Sequence, residues 1–242
     1  MRIQTLSFPS KKLILLSIFS ISMAFMESAV AIYLRKLYYP SADIFPIRAM
    51  DFNIVCIEIL REGATLIMLI CAGIFCGRTR FLSIAYSIFA FGIWDIFYYV
   101  FLKILISWPE SFLSWDILFL IPVTWIGPVI TPVLVSFFLI TLSCFMILMD
   151  ANRYRTEFTP TEKTLLITGT VLILYSYTFD MTKIIVENGY LSDLLRLWKN
   201  KDFMNKISTF IPDQFSWKIF SSGFVMYLLM LLIYIFRRKK TC

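Results

Sequence analysis

Histidine is missing altogether from the 242 residues. Its absence removes His-ligated haem, most catalytic zinc centres, His-based di-iron chemistry and the histidine relays that activate nucleophiles. Charge is scarce as well, at 16% of residues against 59% hydrophobic, a balance too apolar for a soluble domain. The five cysteines, Cys56, Cys71, Cys76, Cys144 and Cys242, include no C-x-x-C pair, and the first four fall inside apolar runs. There a cysteine serves as a small hydrophobe rather than a metal or redox group. Cys242 lacks a C-a-a-X context. P-loop, dinucleotide-fold and G-x-S-x-G signatures are also lacking, and no residue set calls for a cofactor or a metal.

What the chain has in quantity is long apolar runs, which are the direct transmembrane signal. They predict an all-α integral membrane protein, a single polytopic domain over residues 1–242 built as a bundle of six transmembrane helices. The expected helices are 13–34, 54–76, 81–106, 117–148, 164–182 and 219–236. The first run also resembles a signal peptide, with a basic start and AVA at Ala29–Ala31. Apolar character continues past that point and Glu27 interrupts the expected end, so a retained helix is predicted. The net charge of +7 lies largely in chain ends and short connections, which reads as membrane orientation rather than nucleic-acid binding. Six crossings bring both termini to one side. Arg2, Lys11, Lys12, Arg78, Arg80, Arg153, Arg155, Lys163 and the final basic cluster make that side the cytoplasm, of a bacterial inner (plasma) membrane.

The second run, Ile54 to Cys76, organises the rest. It carries Glu58, Arg61 and Glu62, which cost several kcal/mol in hydrocarbon unless they face the interior and pair. Spacings of three and four place them on one helical face, continuing through Thr65 and Ala72 to Cys76. On the first helix Ser17, Ser20, Ala24, Glu27 and Ala31 form a stripe of small and polar residues, and on the third Ala85, Gly92, Asp95 and Tyr99 form another. The fourth run opens with LIPVTWIGPVITPVL, where Pro122, Pro128 and Pro132 each remove a backbone donor. A Pro-distorted fourth helix is therefore expected, its released backbone lining a cavity. Tyr38, Tyr39, Trp108 and Trp115 are expected at the headgroup level. Between helices five and six, Leu191, Leu194, Leu195 and Trp198 recur as on an amphipathic helix lying on the membrane surface.

At about 1.5 Å of rise per residue, Glu27, Glu58, Arg61, Glu62 and the proline-rich stretch fall in the outer half of the bilayer, with Asp95 near its middle. This agreement in depth predicts one polar site, with Glu27, Glu58, Arg61, Glu62, Asp95 and Tyr99 as the candidates to bind a substrate or protons. Crowded carboxylates in a low dielectric share protons, so the first reading is a proton- or ion-coupled transporter of a small solute. The alternative is a structural or accessory subunit of a membrane complex, whose charges only specify packing. A lipid-directed intramembrane enzyme, with paired carboxylates as acid and base and Arg61 holding a phosphate, is the third. The expected partners are the lipid bilayer and a small solute or protons, without nucleic acid.

Overall fold

The computed structural model describes residues 9–39, 45–48, 51–121, 123–154, 156–190, 197 and 200–237. They form α1 (Ser10–Tyr38), α2 (Phe52–Cys76), α3 (Arg80–Ile106), a hairpin of β1 (Trp115–Phe119) and β2 (Trp125–Pro128), then α4 (Ile130–Ala151), α5 (Pro160–Glu187), α6 (Lys201–Ile207) and α7 (Trp217–Phe236). Five of them, α1, α3, α4, α5 and α7, are long and apolar enough to cross a membrane. The chain is a mostly helical, multi-pass membrane protein.

Local chemistry explains where the elements begin. Asp51 caps α2 by accepting the Asn53 N–H at 2.8 Å, and Thr79 caps α3 by accepting that of Leu82 at 3.2 Å. Thr159 and Glu162 cap α5 reciprocally, with Pro160 in its first turn. Arg237, just past α7, donates to both oxygens of the fully buried Glu162 carboxylate at 2.7 and 3.0 Å, tying the end of α7 to the start of α5.

The fourth apolar run is shorter as a helix than its hydrophobicity implies. Its first part is the antiparallel hairpin, with Trp115 opposite Pro128, Asp116 opposite Gly127, Ile117 opposite Ile126 and an irregularity before Phe119. Helix α4 starts at Ile130 instead of about residue 117. The reason is the backbone: Pro128 lacks a donor, and a strand pair satisfies polar groups that a broken helix would leave open. Pro132 falls in the first turn of α4, where its missing N–H costs nothing. Pro122, the remaining proline of that expectation, lies outside the described residues. So do Leu191, Leu194, Leu195 and Trp198; the short α6 that follows buries Phe203 and Ile207 against Ile126, Met181 and Ile185.

Helix α3 is the centre of one group, packing along α1, α2 and α4, while α5 and α7 pair with each other. The two groups join through α4 against α7 and β2 against α5, where the rings of Phe138 and Tyr227 stack at 4.3 Å. The buried stripe of α1 is Leu13, Leu16, Ser20, Ala24, Ser28 and Ile32, with Ser17 only half-buried. That of α2 runs through Glu58, Glu62, Thr65, Leu69 and Gly73, displacing Ala72 and Cys76 toward its edge. Tyr39 is buried rather than interfacial, its hydroxyl accepting the Arg48 N–H at 3.0 Å.

The α5–α7 pair approaches tightly at two facing glycines. A methyl group on Gly223 would stand 2.8 Å from the Gly169 carbonyl oxygen, and one on Gly169 would stand 2.9 Å from that of Gly223. Backbone cannot yield as a side chain does, so Gly223→Ala must push the helices apart. The expected cost is about 1–3 kcal/mol, read as a lower unfolding midpoint in detergent. An unchanged midpoint would mean that the helices do not meet there.

Candidate functional site

Arg61 lies nine residues into α2, about 14 Å along the helix, and spans the gap to α1. Its Nε and Nη2 donate to Glu58 Oε2 at 2.9 and 2.7 Å, and its Nη1 donates to Glu27 Oε1 on α1. The other Glu27 oxygen accepts from the Thr65 hydroxyl at 3.2 Å. One guanidinium thus holds two carboxylates from two helices, as its planar fork allows. The Arg61 side chain keeps 24% exposure against 7% for Glu58, so the cluster borders an accessible space.

Glu62 has a different task. Both of its oxygens accept the backbone N–H of Leu120, at 3.1 and 3.0 Å, just past the end of β1. That N–H lies where the hairpin leaves its ladder, and the carboxylate supplies the acceptor that hydrocarbon would not. The hairpin is therefore pinned to the charged face of α2.

Asp95, nearly midway along α3, accepts from the Ser136 hydroxyl of α4 at 2.8 Å and makes no ion pair among the described residues. Tyr99, one turn later, donates to Asp116 Oδ2 at 3.1 Å. Asp116 is 2% exposed and receives Arg35 Nη2 of α1 at 3.2 Å, while the Arg35 guanidinium lies over the Trp108 ring, 3.6 Å from its centroid. Burial pushes the Asp116 carboxyl up to about 6, against the opposing pull of Arg35 and of the Tyr99 hydroxyl.

Two chambers flank this wall of charge. The larger, about 140 Å³, is lined by Arg35, Arg48, Glu58, Arg61, Glu62 and Asp116 together with apolar residues of α1, α2 and the hairpin. The smaller, about 70 Å³, is lined by Glu27, Asp95, Trp94 and Tyr99 and by part of β1. Arg61, Glu62, Tyr98 and Ile117 border both. Each is large enough to hold water.

The six residues singled out from the sequence fall into this one region, in three subsets. Glu27, Glu58 and Arg61 form one ionic cluster, Glu62 holds the hairpin beside it, and Asp95 and Tyr99 line the smaller chamber. Three further residues were not legible. Arg35, Arg48 and Asp116 read as members of connecting segments; Asp116 enters the site because the hairpin folds back between the helices, and Arg35 because α1 continues to Tyr38. The available signal was the proline and glycine punctuation around Trp125, which opposes a helix without specifying what replaces it. Among the described residues no group of three or more acidic, cysteine or histidine side chains is arranged to hold a metal ion. Comparison with protein-family models, with curated proteins and with solved structures finds no match to this chain.

Proposed function

We propose that the protein moves a small solute across the membrane with coupling to protons or another small ion, the two chambers forming part of the path. The observation that carries this reading is their shared wall. Five carboxylates, Glu27, Glu58, Glu62, Asp95 and Asp116, line the chambers against three guanidiniums, Arg35, Arg48 and Arg61. That excess of acid in a space of low dielectric requires bound protons, and carboxylates on both sides of one wall give a proton successive places to sit. In this reading α2 is the sixth crossing, long enough at 25 residues and paired along α3 through a short connection. By sequence, the ends and connections on the side of Lys11, Lys12, Arg78, Arg80, Arg153, Lys163 and Arg237 carry twelve lysines and arginines against ten on the hairpin side, and that small excess is the basis for reading the termini as cytoplasmic in a bacterial plasma membrane.

The test is flux. Purified protein in liposomes carrying a trapped pH indicator should dissipate an imposed proton gradient faster than empty liposomes, alone or with pooled small carboxylates, amines and sugars outside. Asp95→Asn preserves an acceptor for the Ser136 hydroxyl but not the titratable group, and its flux should fall to the empty-liposome level. Indistinguishable rates for wild type and empty liposomes under every condition would end the transport reading.

A second reading has its own observation. Arg61 is already paired twice and Glu62 already holds the hairpin, so the same charges serve a structural network in an accessory subunit. Normal flux in wild type counts against it as the whole account.

A further inference from the structure

Helices α1 and α2 each run along α3 yet scarcely meet one another. The larger chamber lies in the gap between them, with Ala31 and Leu34 of α1 on one side and Val55 of α2 on the other. Beyond those residues both helices turn apolar side chains outward, Leu37 at 74% exposure and Leu60 at 72%. Such faces belong against lipid. The chamber thus lies beside apolar surface of the kind that a bilayer covers.

Its lining joins two chemistries. Most of its surface is apolar, yet Arg35, Arg48 and Arg61 converge on it. Arg35 and Arg61 are held by carboxylates. Arg48 is exposed and has no carboxylate partner among the described residues, although it lies beside the buried Tyr39 hydroxyl, which also feels Arg35. A guanidinium at the rim of an apolar chamber is a poor fit for a cation and is wasted on a neutral solute. It fits a carboxylate or phosphate, which it can bind in bidentate fashion.

We infer that the larger chamber binds the anionic headgroup of an amphiphile, a carboxylate or phosphate bearing an acyl chain, which enters sideways between α1 and α2 and is anchored by Arg48. This rests on the reading of the chambers as a translocation path and names its cargo. The charge count supplies a reason for coupling. The larger chamber carries three guanidiniums, Arg35, Arg48 and Arg61, against three carboxylates, Glu58, Glu62 and Asp116. Glu27, which also holds Arg61, makes the balance four carboxylates to three guanidiniums, so the fully ionised set carries one net negative charge; two bound protons turn it to one net positive charge, which accepts one monovalent anion. Protons and anion then travel together.

Native mass spectrometry of the full chain, released from nonionic detergent, tests the assignment with decanoate, decanol, acetate, inorganic phosphate, phosphatidylglycerol and phosphatidylcholine as probes. Wild type should retain one equivalent of decanoate or phosphatidylglycerol, and whichever is held better identifies a free fatty acid or a phospholipid as the source. Arg48→Gln, at an exposed position, should fold normally and weaken that retention about tenfold or more. Equal retention of decanol or phosphatidylcholine would overturn the anionic headgroup. Acetate or phosphate bound as tightly as decanoate would overturn the amphiphile, and unaltered retention by Arg48→Gln would overturn the anchor. The proton-flux assay, run also with phosphatidylglycerol in the liposome membrane, separates the two claims: flux without amphiphile binding removes this inference alone, whereas binding without flux removes the transport reading and leaves a lipid site.

Discussion

Arg61→Ala is expected to destabilise the protein by about 3–5 kcal/mol, because it strands two carboxylates that the guanidinium now serves. The Glu58 side chain is 7% exposed and buried, and that of Glu27 is 12% exposed and partly buried. Without Arg61, Glu27 keeps only the Thr65 hydroxyl and Glu58 keeps no side-chain partner. The loss should appear as a reduced unfolding midpoint in detergent and a lower yield of folded protein. The cause can be separated from lost packing by the triple variant Arg61→Met with Glu27→Gln and Glu58→Gln. It removes all three charges together, keeps side-chain volume, and should recover most of the loss, since a buried pair replaced whole is often nearly neutral. A triple variant as unstable as Arg61→Ala would assign the effect to packing between α1 and α2. Because those helices have so little direct contact, that outcome would also contradict the gap in which the larger chamber lies.

The helical skeleton was readable because burying apolar runs in lipid leaves few choices. The expected second, third and last helices begin within two residues of those observed, and the first and fifth extend a turn or so beyond expectation. Charge was equally informative where it broke such a run. Glu58, Arg61 and Glu62 had to face inward, and Glu27 had to face them, for reasons independent of any partner. The hairpin was not legible. Hydropathy cannot distinguish an apolar strand from an apolar helix over so short a length, and the prolines oppose one without choosing the other. Of the residues missed at the site, Asp116 follows from that ambiguity. Asp116 is carried inward by β1, and Arg35 leaves the expected loop because α1 continues to Tyr38 and delivers it to Asp116. The partner of Glu62 was likewise out of reach, since a backbone N–H has no sequence signature. Reading Glu62 only as a charge gave it a role in the cavity while hiding its mechanical one.

Those two roles of Glu62 call for two substitutions with opposite expectations for stability. Glu62→Gln keeps a carbonyl oxygen where the Leu120 N–H now finds the carboxylate, so the hairpin should stay pinned and the unfolding midpoint should stay near that of wild type. It cannot bind and release a proton, however, and it sits in the wall common to both chambers. Proton flux should therefore fall to the empty-liposome level in a protein that is folded. Glu62→Leu removes the acceptor as well. The Leu120 N–H then loses its protein acceptor, a cost of about 1–3 kcal/mol, and the hairpin loses its tie to α2. This variant should lose flux and stability together. Full flux in Glu62→Gln would take Glu62 out of the proton path and leave it as the hairpin's anchor. An unaltered midpoint in Glu62→Leu would mean that β1 and β2 are held by their own ladder and by their packing against α5, and that the carboxylate is retained for chemistry alone.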